Sequence, residues 1–188
     1  MIIDYIGISD EAKKIKSYFK SLHRPMTPEK VCALHNRDIN IDIELIPIET
    51  NLPLKEYKAN YTYIKRQHIV LYSKKIKKNL EPILYHEIGH RVLHWRDSDF
   101  IFHIDSDSNR LETQYELEAE VFAAEMCLDD DIVLSCLFSR RLTFFQTARV
   151  CGVPNDTLYF KCRILQERGF TINLPITVTS DCLKGRDC

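Results

Sequence analysis

Apolar and polar positions recur with two different periods along this chain, and the switches between periods mark its elements. Residues 9–22, SDEAKKIKSYFKSL, set Ala12, Ile15, Tyr18, Phe19 and Leu22 on one stripe. Spacing by three and four predicts an amphipathic helix capped by Ser9. Thr27-Pro28 predicts a second, short helix with Thr27 as cap and Pro28 in its first turn. Residues 40–48, NIDIELIPI, alternate instead, with Ile41, Ile43 and Leu45 on one side, which predicts a half-buried strand ending at Pro47. Residues 61–72 read as two short strands broken near Arg66-Gln67.

The helical period returns at Asn79 with NLEPILYHEIGHRVLHW, gives way to a polar loop over 97–110, and resumes over 111–128. A short helix over 131–140 follows. Residues 142–168 then predict two helices around the turn Cys151-Gly152-Val153-Pro154. The expected fold is α+β and mainly helical. A small sheet of about three strands packs on the helix that contains residues 86–90, and a helix-turn-helix-like unit closes the chain. The expected division is a core over 1–140, the C-terminal unit over 141–170 packed on it, and a tail over 171–188 with little periodic signal.

Composition narrows the classes. The chain has 188 residues with 45% hydrophobic residues, enough for one sizeable core. Its net charge of −1 argues against binding nucleic acid by bulk charge. The start, MIIDYIGISDEAKK, lacks the long apolar run of a secretory signal, and no stretch reaches the roughly 18 apolar residues of a membrane helix. A cytoplasmic protein is expected. The seven cysteines are odd in number, scattered and without a Cys-x-x-Cys pair, which reads as reduced thiols, mostly small core fillers.

The candidate chemistry begins with His86-Glu87-Ile88-Gly89-His90. Four residues of helix put both imidazoles on one face, one turn apart, within reach of a single ion. Glu87 shares that arc and can take a proton from water held on the ion. Leu84, Tyr85, Ile88, Val92 and Trp95 fall on the opposite side. Gly89 sits near the edge of the histidine face, where a bulky side chain would block close packing. His94 extends the stripe, but eight residues of helix rise roughly 12 Å, too far for His86 and His94 to share one ion. His94 is therefore expected to support or pack against the ligands.

The next helix, LETQYELEAEVFAAEMCL, adds carboxylates. On a wheel, Glu118 and Glu125 share the one polar sector. Glu116 and Glu120 fall inside the apolar arc beside Ala119, Ala123 and Cys127. A carboxylate aimed into a packed face needs a partner, and a metal ion or a metal-bound histidine supplies one. Glu116 is expected as the third protein ligand, and Glu120 as the group holding the outer nitrogen of a ligand histidine. Glu118 is the fallback ligand.

With both helices in hand, His86-Glu87-Ile88-Gly89-His90, Leu93-His94 and Glu116-x-x-Ala119-Glu120-x-Phe122-Ala123-Ala124-Glu125-Met126 resemble the ImmA/IrrE family of zinc metallopeptidases, which are gluzincin-like. The resemblance runs from the strands near residue 40 to about residue 170. Ala148-x-x-Cys151-Gly152-Val153 resembles the helix-turn-helix-like unit that often follows in that family. The chain departs at Glu120, where the family usually has Asn or Asp. The resemblance implies zinc on His86, His90 and Glu116, Glu87 as general base, and a protein substrate, often a helix-turn-helix transcriptional repressor. A rival reading makes 142–168 a DNA reader. The second helix of that pair carries Asn155, Asp156, Thr157, Tyr159, Lys161 and Arg163, a weakly basic surface for such a role.

Overall fold

A computed structural model describes residues 3–54, 57–95 and 109–175, with side chains described from residue 114 in the last segment. Most of the 97–110 loop, and the tail beyond residue 175, lie outside the described residues. The first helix, α1, spans Tyr5–Ser21 and begins four residues before the expected start. Its cap is Asp4, whose Oδ1 accepts from the Gly7 N–H at 2.8 Å. Ser9 lies inside the helix and is buried. Helix α2, Pro28–Cys32, starts as expected on Thr27, whose hydroxyl accepts from the Lys30 N–H.

Three strands follow: β1 (Ile43–Ile48), β2 (Ala59–Ile64) and β3 (Gln67–Ser73), in the order β1-β3-β2. β1 runs parallel to β3, from Ile43 opposite His68 to Ile48 opposite Ser73. β2 runs antiparallel to β3, from Ala59 opposite Tyr72 to Ile64 opposite Gln67. Pro47 does not end β1 but lies within it, which an edge strand tolerates because, among the described residues, one row of its N–H groups has no ladder partner to lose. Lys65 and Arg66 join β2 to β3 with φ of 52° and 67°. Two left-handed residues in a two-residue loop match the twist of the flanking strands.

Helix α3, Leu80–Leu93, carries the histidine pair, and α4, Asn109–Cys127, packs along it. α5 (Asp130–Leu134) runs into a π-helical turn, Ser135–Ser139. α6 (Phe144–Cys151) opens on a capping box between Thr143 and Gln146 and ends at left-handed Gly152. α7 spans Asn155–Glu167. Among the described residues the molecule is mainly helical with one small mixed sheet, the α+β class expected.

The main core lies between α1, the sheet, α3 and α4, with Tyr85, Ile88 and Phe122 fully buried in it. Burying a side chain such as Ile88 contributes about 2 kcal/mol. A second cluster joins Val133, Phe144, Ala148, Leu158, Cys162 and Leu165. α7 serves both: Phe160 and Ile164 enter the main core, while Leu158, Cys162 and Leu165 enter the second.

An ionic knot reinforces this seam. Lys161, fully buried, reaches Glu125 Oε2 at 2.8 Å and Asp130 Oδ1 at 2.5 Å. Arg168 donates to Asp130 Oδ2 at 2.5 Å and to the Ser9 hydroxyl, and lies 3.4 Å from Glu125. Lys16 of α1 donates to the Glu125 and Leu128 carbonyls. Two side chains of the candidate DNA-reading surface are removed from solvent, since Lys161 and Thr157 are both buried. Arg163 lies over the Tyr5 ring. The wheel position of Glu125 is corrected too: this carboxylate is 1% exposed, because its partners come from α7 and from the residue after it.

Candidate metal centre

Asn79 precedes α3 with φ of 57°, and Glu81 and Pro82 occupy the first turn, where a carboxylate and a missing N–H suit the helix start. From Leu84 to Arg91 every residue of α3 is buried, so the histidine face looks into protein rather than open solvent. At Gly89 α4 lies close against α3. A Cβ there would sit 3.2 Å from Phe122 Cδ1 and 3.3 Å from the Ala119 Cα. The glycine and the alanine together let the two helices approach.

That approach brings three donors together. His86 Nε2 and His90 Nε2 are 3.2 Å apart. Glu116 Oε2 lies 3.3 Å from His86 Nε2, and Glu116 Oε1 lies 3.5 Å from His90 Nε2. Among the described residues these three form the one group of at least three ligand side chains able to hold an ion. For ligands about 2.0–2.1 Å from an ion at the centre of a tetrahedron, donor–donor edges are about 3.3 Å. The observed separations match that edge, so the donor set fits a tetrahedral ion with one open corner.

Glu87 is buried and accepts the Tyr61 N–H on Oε2 at 2.6 Å. Burial pushes its carboxyl up to about 7, with Glu116 and Glu120 adding to the rise and His86 and the Tyr61 bond opposing it. For His86, burial opposes the charge. The Glu116 hydrogen bond and the charges of Glu120, Glu87 and Glu116 outweigh it and raise the imidazole to about 9. Burial and the neighbouring His86 hold His90 well below its ordinary value.

The surrounding groups differ in part from expectation. Glu120 Oε1 stops 3.6 Å from His86 Nδ1, an ion-pair separation, and among the described residues His86 Nδ1 makes no hydrogen bond. The other candidate ligand histidine is served by His94: His90 Nδ1 and His94 Nδ1 are 3.2 Å apart. His94 Nε2 in turn lies 3.0 Å from Glu118 Oε2, and Gln114 donates to Glu118 Oε1 at 2.8 Å. Glu118, the fallback ligand, is thus a partner of His94. Sequence reasoning missed this relay. The separation of 24 residues between His94 and Glu118 carries no local signal. Tyr115 packs against the His94 ring with centroids 4.7 Å apart.

β2 is the strand nearest α3 and supplies Tyr61 to Glu87. Tyr61 and Tyr63 flank His68: the Tyr61 hydroxyl is 2.7 Å from His68 Nδ1 and Tyr63 stacks on the ring. His68 meets Trp95 edge-on, and Arg91 lies 4.4 Å over the Trp95 ring while donating to the Asn40 carbonyl. This aromatic wedge fixes the strand on the helix that carries the histidines.

The family model for the IrrE N-terminal-like domain, Peptidase_M78, matches residues 39–163. The matched segment runs from just before β1 into α7 and includes every donor described above. No curated protein matches the chain.

Proposed function

The chain belongs to the Peptidase_M78 family, and from that membership we propose that it is a zinc-dependent endopeptidase that hydrolyses a protein substrate. The observation that supports the reading best is the tetrahedral spacing of His86 Nε2, His90 Nε2 and the Glu116 carboxylate. These three residues would hold the ion. When bound, zinc lowers the pKa of water in its open position to about 7 and polarises a scissile carbonyl.

The protein's own groups then have separate tasks. Glu87 takes the proton from the attacking water on its free carboxylate oxygen and passes it to the leaving amine. The Tyr61 N–H holds the other oxygen and so fixes the carboxylate's orientation. With Nε2 of His86 committed to a ligand role, its proton resides on Nδ1, facing Glu120. His94 and Glu118 orient the His90 ring in the same manner. The buried walls of α3 keep bulk water from these charges.

The substrate class that the family resemblance favours is a helix-turn-helix transcriptional repressor, which places the reaction in the cytoplasm. Among the described residues no helix is long and apolar enough to cross a membrane. Burial of Lys161 and Thr157 weighs against a direct DNA-binding role.

The test is metal analysis of the purified protein beside His86→Ala and Glu116→Ala, followed by incubation of the zinc-loaded protein with candidate repressors. About one zinc per chain, lost in both variants, and cleavage abolished by Glu87→Gln are the expected results. Zinc retained by Glu116→Ala overturns the ligand set. Cleavage that survives Glu87→Gln overturns the mechanism. A metal-loaded protein that captures a repressor without cutting it points instead to a non-catalytic binding module.

A further inference from the structure

Burial divides the C-terminal unit into an inner and an outer side. Phe144 and Ala148 of α6 are buried in the second core cluster, and Thr147 is buried beside them. The outer half of α6 carries Phe145, Gln146, Arg149 and Val150, because Phe145 and Arg149 lie one turn apart and so do Gln146 and Val150. Phe145 is 54% exposed and Val150 50%. The π-helical turn packs against α6 and adds the exposed Phe138, with Arg140 and Arg141, both exposed, directly after it. Single exposed apolar residues are ordinary on a protein surface. The charges interleaved with these set the face apart.

From Ile132 to Asn155 the chain has three arginines, Arg140, Arg141 and Arg149, and no lysine, aspartate or glutamate. Over the whole chain 26 basic and 27 acidic side chains nearly cancel. Among the described residues none of the three arginines is ion-paired. Arg140 donates to Cys136 Sγ at 3.8 Å, and Arg149 sits in the last turn of α6, where the helix dipole favours a cation. No such local task accounts for Arg141. Its φ is 52°, a conformation in which glycine or asparagine costs less. The chain's other acid-free stretch, residues 57–80, has a different character: its cations are mainly lysines, and Lys74 there pairs with Glu49.

We propose that the π-helical turn and the outer half of α6 form a docking face for a segment of another protein in which carboxylates alternate with large apolar side chains. Aromatic rings and arginine without lysine, aspartate or glutamate are the composition of protein–protein contacts. Planar guanidinium forks grip carboxylates through paired hydrogen bonds, and rings between them receive apolar side chains. A two-fold contact of this face with its own copy would set like charges together, so the partner is not a second copy. Three cations are a thin footprint for nucleic acid or a lipid surface, both of which reward dense basic charge. The inference does not rest on the peptidase reading.

The full chain is labelled and applied to an array of synthetic peptides of one length that grade glutamate content against leucine and phenylalanine content. Binding is expected to concentrate on peptides rich in both, to weaken with added salt, and to vanish when glutamate is replaced by glutamine. Phe145→Ser and Arg141→Gly are each expected to weaken it about tenfold, the usual loss for a central contact residue. Arg141→Gly also separates binding from folding, since glycine relieves the left-handed backbone and should leave the thermal midpoint level or higher. Equal binding of the glutamine peptides, affinity untouched by either variant, or no binding at all would overturn the proposal. So would tighter binding of anionic vesicles or of duplex DNA through the same arginines, which would make the face a lipid or nucleic-acid surface.

Discussion

His86 connects the candidate metal centre to pH. In the metal-free protein its imidazole holds a proton up to about pH 9, because three carboxylates outweigh its burial. A metal must displace that proton before it can bind. Zinc affinity should therefore rise with pH, by about tenfold per unit for one proton released, and level off near pH 9. Competition titration against a chelator between pH 6 and pH 9 measures the slope; a flat profile would mean that His86 is already neutral. At the same scale, Glu118→Ala should keep its metal at saturating zinc yet bind it about 10–100-fold more weakly, the usual cost of losing a partner behind a ligand histidine. The histidine pair was legible because its spacing is local to one helix, and Glu116 because an acid in an apolar arc demands a partner. Glu118 and Glu125 were not, since a wheel shows where a side chain points and not which distant element meets it there.

Elements set the distances between those residues. Gly89 and Ala119 allow α3 and α4 to touch, and the three candidate metal donors come from both helices. Gly89→Ala adds a methyl into contacts of 3.2 and 3.3 Å, one of them to backbone that cannot rotate away. Overpacking costs about 1–3 kcal/mol, partly offset by the roughly 1 kcal/mol that alanine gains over glycine in a helix. The thermal midpoint should fall only slightly, while zinc affinity should fall more, because α4 carries Glu116 away from the histidines. Calorimetry beside metal titration compares the two effects, and equal losses would refute the argument. The knot at Lys161 acts between α4, α5 and α7. Lys161→Met leaves Glu125 and Asp130 with Arg168 as their nearest described cation, and breaking a buried pair costs about 3–5 kcal/mol. Urea unfolding should show a loss of that order; a variant as stable as the parent would mean that the charges balance without Lys161. Sequence periodicity located α4 and α7 but not this knot, which joins groups 36 residues apart. The start of α1 was missed for a simpler reason: Asp4 is as good a cap as Ser9 and comes first.

At the scale of the whole molecule, the same knot sets the acid limit of the fold. Burial works against the Asp130 carboxylate, but Lys161, Arg168 and Lys13 hold its pKa below the ordinary value. A carboxyl whose pKa is depressed by folding stabilises the protein above its unfolded pKa of about 4, and that contribution is lost as pH falls through the folded value. Stability should therefore decline below about pH 4, and less steeply in Asp130→Asn, as thermal melts between pH 3 and pH 6 would show. A decline of equal slope in both proteins would assign the acid limit to other groups.

The sheet's two margins have a further consequence. A strand with a free row of backbone donors is where fibres nucleate, because a second chain can zip onto it. On β1 that row is broken by Pro47. On β2 the Tyr61 N–H is already occupied by Glu87, so the proposed base also acts as a stopper on the sheet edge. Two variants that should both be inert will then age differently in the tube. Glu87→Gln keeps an oxygen for Tyr61 and should stay clear on storage. Glu87→Ala uncovers the edge and should scatter light first.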